Sequence, residues 1–179
     1  EAAEAFDAQP LQAVFFLVEV RVETALAVAL LDVVDAHCRN EISVDEQRHM
    51  AEMFGVIDEI CEEHGLQQVL HSHVQTLVET KDDIDRVLDT CDVDFCLDTG
   101  HMAIGGQDPV EFAKQAMERV GHVHLKDVRL EMVPPVLRRE VSLMAATQAG
   151  LFTPLGQGDV DILGVVQALE RAGYRGWYV

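Results

Sequence analysis

The sequence predicts an α/β fold, a (β/α)8 TIM barrel of which this chain carries part, with residues 1–179 in a single domain. Three observations predict it. Short segments that are apolar throughout alternate with amphipathic helices, the pattern of a parallel sheet covered on its helix-bearing side. His71, His73, Glu79, Asp98, His101, His124, Lys126 and Asp127 all fall at, or just past, the carboxyl ends of successive strands. Doubly wound sheets also place sites at that edge, but only a closed barrel brings all its strand ends around one point.

Taken in order, "AVFFLVEV" reads as a first strand, and "AHCRNEIS" joins two helices where a βα repeat would want a strand. Ser43 and Glu46 then form a capping box, and Met50, Met53, Phe54, Ile57 and Ile60 recur at helical spacing until Gly65. "LQQVLHSH" is the next strand, followed by a helix from Thr80 with Ile84, Val87 and Leu88 inward, and by the strand "VDFCLDTGH". Asp108 at N-cap, Pro109 at N1 and Glu111 at N3 start a helix reaching Val120, which feeds the strand "HVHLKDV". A mixed segment runs from Arg129 to Gly158. Asp161 then opens a helix with Val165, Val166 and Leu169 inward, Gly173 stops it, and "RGWYV" is a last strand. Eight units usually need about 250 residues. The expectation is therefore a chain lacking N-terminal units, a piece near Cys38 to Ile42 and the residues after Val179, with 43–179 fitting a barrel well and 1–42 poorly.

Composition narrows the function classes. Hydrophobic residues make up 49% of the chain, enough for a real core, and the formal charge is −19. That charge argues against nucleic acid as a partner, because gripping phosphates takes Lys and Arg. Cys38, Cys61, Cys91 and Cys96 form no C-x-x-C pair and no signal peptide is visible, which together predict reduced thiols in a cytoplasmic protein. The stretch "LQAVFFLVEV" is broken by Glu19 well short of the roughly 20 residues a membrane helix needs.

Glu79, Asp98 and His124 supply two carboxylates and an imidazole from different strand ends. Such donors suit Mn²⁺, Mg²⁺, Co²⁺, Fe²⁺ or Zn²⁺ and leave positions open for substrate. Each has a plain alternative: Glu79 as a helix N-terminal charge, Asp98 as a turn residue before Gly100, His124 as a core histidine. Their joint occurrence on consecutive strands favours the metal reading. His122 and His124 share a face by parity, and His124 lies nearer the barrel mouth, which makes it the ligand and His122 a deeper packing or supporting group. His101, just past Gly100, can reach over the opening.

"HSHVQTLVETKDDIDRVLD", "DFCLDTGHMAIGGQDPVEF", "VGHVHLKDV" and "FTPLGQGDVDILGVVQALERAGYRGWYV" resemble the sugar isomerase and epimerase superfamily of xylose isomerase-like TIM barrels, and within it the inosose dehydratases of myo-inositol catabolism. The resemblance covers about Ser43 to Val179. It implies that Glu79, Asp98 and His124 bind a divalent metal, Mn²⁺ or Co²⁺ ahead of Mg²⁺, Fe²⁺ or Zn²⁺, and that His101 contacts substrate oxygens. A further Glu ligand at the end of the last strand would fall beyond Val179.

The implied reaction is metal-dependent loss of water from 2-keto-myo-inositol through an enediolate, with an isomerase or epimerase of a small ketose or hydroxy-keto acid as the alternative. Departure of the β-hydroxyl needs an acid, and His71, His73, His101 and Lys126 are the candidates, a histidine being favoured with Lys126 orienting a substrate oxygen. Glu79 joins the catalytic set, and His71, His73, His101, Lys126 and Asp127 the substrate-binding set. The plain alternative for Lys126 and Asp127 is a mutual ion pair, and for "LGQGD" a turn rather than a loop closing over substrate. Asp82, Asp83 and Asp85 read as a solvated helix start, and Glu62, Glu63 and His64 as surface. A DNA-repair phosphodiesterase on the same barrel is disfavoured by charge. The expected partner is a small polyol or ketose. Barrels of this kind often pair, so a homodimer is an expectation, although no exposed apolar stripe marks its contact.

Overall fold

Strand polarity is set first by the length of the connections. The computed structural model describes residues 17–22, 25–30 and 43–179. β1 (Leu17–Val22) and β2 (Ala25–Leu30) pair antiparallel. Only residues 23 and 24 separate them, whereas a parallel crossover needs a dozen or more residues. A strand thus stands at residues 25–30, ahead of the junction read between two helices. That junction, apart from Ser43, lies outside the described residues, as does Cys38.

α1 (Val44–Glu63) begins at the predicted capping box on Ser43. Met50 and Phe54 are its buried face, while Met53 and Ile60, expected inward, are 37% and 51% exposed. β3 (Val69–His71), α2 (Lys81–Thr90) and β4 (Asp94–Asp98) follow, with Thr80 capping α2 through a second capping box to Asp83. α3 (Thr99–Ile104) leaves β4 without a linker, because Asp98 is its N-cap. α4 (Pro109–Gln115) is shorter than predicted and gives way to a 3-10 turn, Met117–Arg119. There Arg119 Nη2 donates to the carbonyls of Cys91 (2.7 Å) and Val93 (2.6 Å), drawing the chain into β5 (Val120–His124).

The "HVHLKDV" strand divides. β5 stops at His124, and β6 (Asp127–Val128) pairs antiparallel with β7 (Phe152–Thr153). α5 (Val133–Leu137) and α6 (Leu143–Gln148) form the excursion between them, and α7 (Ile162–Ala172) ends at Gly173, whose φ of 91° closes the helix in the left-handed region. Of "RGWYV", Tyr178 forms a parallel bridge with Val123, and Leu125 N–H donates to the Val179 carbonyl at 2.7 Å.

The main sheet has the order β2-β1-β3-β4-β5, parallel from β3 to β5. Leu70, Phe95, Leu97 and Val123 point to one face and pack with Ile84 and Val87 of α2, Phe112 and Ala113 of α4, and Val165 and Leu169 of α7. Alternation sends His71, Cys96, Asp98, His122 and His124 to the other face. A bulge makes this possible. Phe95 aligns with Val120 but Cys96 aligns with His122, so Gly121 is the extra residue that brings both histidines onto the face of Asp98. A second cluster, including Val74, Ile104, Val128, Val136, Ala146 and Leu151, fastens the α5–α6 excursion to the strand ends.

Gly105 sits where α3 meets the entry to α2, and Lys81 N–H donates to its carbonyl at 3.0 Å. Its φ of −73° suits any residue, so space is the constraint: a Cβ there would overlap the Glu79 carbonyl oxygen and stand 3.0 Å from its carbon. Gly105→Ala is expected to cost about 1–3 kcal/mol, read as a lower urea midpoint with an unchanged slope.

Candidate functional site

Asp98 is the hub. At the end of β4 its carboxylate is completely buried. Oδ1 accepts from the backbone N–H groups of Gly100 (3.1 Å) and His101 (3.0 Å), capping α3. Oδ2 faces His71 Nε2 at 3.0 Å and His124 Nδ1 at 3.3 Å, and accepts a hydrogen bond from Lys126 Nζ. Burial alone would raise the carboxyl pKa, but the hydrogen bonds from His124 and His71, with the charge of Lys126, hold it well below the usual range.

Imidazoles surround this oxygen. His71 lies edge-on to His124, His101 and His73 at centroid separations of 4.9, 5.3 and 5.5 Å, and His73 lies over His101 at 3.7 Å. Burial depresses all three of His71, His73 and His101, His73 to about 4 and His101 well below its ordinary value, so each is neutral at pH 7. Local bonds then fix two tautomers. His73 Nδ1 lies 2.8 Å from the Val74 carbonyl, which requires Nδ1–H and leaves Nε2 with its lone pair. His101 Nδ1 accepts the Val74 N–H at 3.4 Å, which leaves Nε2 to carry the proton. Lys126, with a side chain 36% exposed, bridges the buried hub to solvent.

Of the residues singled out from sequence, the structure gathers His71, His73, Asp98, His101, His124 and Lys126. Glu79 is placed otherwise: its buried carboxylate takes a two-pronged ion pair from Arg139, with Nη1 at 2.9 Å from Oε1 and Nη2 on Oε2. Asp127 does not pair with Lys126. Its carboxylate accepts the backbone N–H groups of Gly156 (2.9 Å), Gly158 (2.8 Å), Val160 (3.1 Å) and Val128 (3.0 Å), so it folds the "LGQGD" turn. The amide bonds outweigh burial and lower its pKa.

Sequence reasoning missed Arg139 and Cys96. Arg139 lies in the mixed segment and adopts a φ of 61°, which no sequence pattern announces. Cys96 had a signal, since it lies two residues before Asp98 on the same strand face.

Among the described residues, two groups could hold a metal ion: His71, Asp98 and His101, and His71, Cys96 and His124, with the ligand atoms of each group within 4.8 Å of one another. His71 Nδ1 is buried with no hydrogen-bond partner among the described residues, so a nitrogen donor is left over for a ligand. A carboxylate beside several neutral imidazoles is a donor set that fits a divalent transition metal.

The xylose isomerase-like TIM barrel family model matches residues 19–179. Inosose dehydratase of Geobacillus thermodenitrificans is 37% identical over 126 residues, which are 69% of this chain and 42% of that protein. The Clostridium perfringens inosose dehydratase is 34% identical over 139 residues, 76% of this chain and 47% of its own length. The chain thus spans less than half the length of these relatives. Among solved structures, the probable 3-DHS dehydratase AsbF of Bacillus anthracis superposes with a TM-score of 0.60 at 22% identity, covering 75% of this chain and 50% of that one. The IolI protein, solved with a bound zinc atom, gives 0.56 at 20% identity, covering 78% and 48%. These likenesses show the fold. No helix among the described residues is long and apolar enough to cross a membrane.

Two predictions follow from the geometry. His73 binds its proton more weakly folded than unfolded, so stability is expected to fall as pH drops from about 6.5, the ordinary histidine value, towards about 4. His73→Gln flattens that limb in urea titrations at stepped pH. Asp127→Asn is expected to cost about 1–3 kcal/mol and to speed proteolytic nicking between residues 155 and 160. The native carboxylate contributes stability above its unfolded pKa, lost on acidification through its lower folded one, and the variant lacks that loss.

Proposed function

The chain belongs to the xylose isomerase-like TIM barrel family, and from that premise we propose that it forms the catalytic part of a cytoplasmic, metal-dependent dehydratase acting on 2-keto-myo-inositol. Its identity of 32–38% to inosose dehydratases supports the reaction class. The observation that carries the site is the convergence of His71, His124 and Lys126 on one oxygen of Asp98. Cys61, Cys91 and Cys96 are in no disulfide, which suits a reducing compartment.

Asp98 and His124 are the proposed ligands, with His71 as the third donor and Glu79 left to Arg139. A divalent metal bound there would supply positive charge to the neighbouring keto and hydroxyl oxygens of the substrate, making the α-proton acidic. His73 offers an unprotonated Nε2 to take that proton, and the substrate becomes an enediolate. His101 offers Nε2–H towards the β-hydroxyl as it leaves, and Lys126 orients a substrate oxygen from the solvent side. Isomerase chemistry would need the abstracted proton returned to the neighbouring carbon. Separate residues poised to accept and to donate favour elimination.

Protein stripped by chelator and reloaded with Mn²⁺, Co²⁺ or Zn²⁺ is expected to convert 2-keto-myo-inositol to the dione, followed by its absorbance. His73→Ala and His101→Ala are each expected to lower kcat about 10²–10⁴-fold with metal still bound. Retained turnover in both variants would remove the histidines from proton transfer, and conversion to an isomeric ketose without water loss would establish the isomerase.

A further inference from the structure

Thr99 takes part in an exchange of hydrogen bonds that the proposed reaction leaves unused. Pairing of β4 with β5 ends at Asp98 and His124. There β4 gives way to α3, and the chain that continues from β5 loses its backbone neighbour. Leu125 N–H turns to the Val179 carbonyl at 2.7 Å. Lys126 turns to Thr99, which is completely buried. The Thr99 hydroxyl donates to the Lys126 carbonyl at 2.7 Å and accepts the Lys126 N–H at 2.8 Å. Inside a helix a threonine hydroxyl can bond back to the preceding turn, but Thr99 is the first residue of α3 and has no such turn behind it. One side chain therefore does for Lys126 what the two backbone groups of a strand neighbour would do. Gly100 completes the seat. A Cβ there would stand 2.7 Å from Lys126 Cβ and 3.3 Å from Phe152 Cε1, so only glycine lets the base of the lysine lie against α3.

We propose that Thr99 is the positioning residue for Lys126: by holding both backbone groups of the lysine against Gly100, it aims the ammonium at Asp98 Oδ2 and at the substrate oxygen that Lys126 orients. The inference rests on the dehydratase reading for the identity of that oxygen, and deepens it by naming the residue through which Lys126 acts. A lysine is a compact charge on a flexible stem. The Lys126 side chain is 36% exposed, so water competes for its ammonium and packing along the stem does not fix it. What fixes it is where the stem begins and where it ends. Thr99 clamps the beginning, and Asp98 accepts from Nζ at the end. These two residues are consecutive, so the holder of the backbone and the acceptor of the ammonium move as one piece. Loss of the hydroxyl would uncouple Lys126 from α3, and a misplacement of about 1 Å at a reacting group can cost roughly 10²-fold in rate. The Thr99 methyl group also restricts χ1, which keeps the hydroxyl turned towards Lys126.

The test joins two measurements on Thr99→Val, which is nearly isosteric and lacks the hydroxyl, and on Thr99→Ser, which keeps it. The first is the heteronuclear NMR signal of the Lys126 ammonium in the chelator-stripped chain without substrate, assigned by its loss in Lys126→Met. The signal is expected in the wild type, because an ammonium held on a carboxylate exchanges its protons slowly; it is lost in Thr99→Val and kept in Thr99→Ser. The second is turnover of 2-keto-myo-inositol by metal-loaded protein. Thr99→Val is expected to lower kcat/KM by about 10²-fold, and Thr99→Ser to restore most of it. In a Lys126→Met background Thr99→Val costs nothing further, since residues that act through one another do not add. No held ammonium in the wild type, an unchanged signal in Thr99→Val, or an undiminished loss in the Lys126→Met background overturns the positioning role. Absence of turnover in the wild type overturns the dehydratase reading alone, and the ammonium signal still decides whether Thr99 places Lys126. Where Thr99→Val does not fold, Gly100→Ala, which keeps the hydroxyl and unseats the lysine, is expected to lose the signal, and retention there overturns the proposal.

Discussion

One buried carboxylate organises the site. Removing an ion from water costs several kcal/mol unless its lone pairs are met, and Asp98 meets them with five donors: two backbone amides on Oδ1, and His71, His124 and Lys126 on Oδ2. The two oxygens divide the labour. Oδ1 starts α3 directly off β4, which fixes where His101 emerges, while Oδ2 draws in side chains from β3 and from the end of β5. The helix start and the side-chain cluster therefore share a single group. Uncharging it would free the helix start, the histidines and the ammonium together.

That arrangement depends on register. Parallel strands place aligned residues on the same side, and a slip of one residue exchanges the faces. Without the bulge at Gly121, Asp98 would align with Val123, and His122 and His124 would face the helices among Phe95, Phe112 and Leu169. The bulge lets β5 begin with apolar Val120 outward and still deliver two histidines inward. It also explains an odd feature of the sequence, polar residues spaced by two in a strand otherwise made of valine and leucine.

These relations were legible in part. Caps at Ser43, Asp108 and Asp161 could be read because each is a local pairing of side chain and amide, decided within four residues. The gathering of His71, His73, Asp98, His101, His124 and Lys126 followed from the rule that strand ends converge. Glu79 has a partner that such reasoning does not supply. Its place just past a strand gave it the same reading as Asp98, yet Arg139, sixty residues on, claims its carboxylate. Asp127 likewise sits beside Lys126 in sequence but bonds across to residues 156–160. Both partners lie in the mixed segment, which folds by long-range contacts and carries no period to read. "AVFFLVEV" was read as a strand, but its hairpin partner β2 was missed: Ala and Leu favour helix in isolation, and strand pairing overrode that preference.

Charge ties the site to the rest of the molecule. Burial keeps His71, His73 and His101 neutral, so Asp98 and Lys126 nearly cancel and the pocket offers many lone pairs with little net charge. Such a pocket does not repel a neutral polyol. Outside it, a chain of formal charge −19 raises the local concentration of cations and disfavours anions, an effect that weakens with salt. A divalent ion at the proposed centre would be attracted by the whole protein and would meet neutral donors and one carboxylate. In the proposed reaction its charge would remain available to polarise a bound ketone, because few ligand charges would neutralise it. A set of three carboxylates would hold the ion more tightly and leave it a weaker electrophile. The imidazoles around Asp98 would therefore suit the proposed reaction on a carbon acid, whose ionisation needs charge close by.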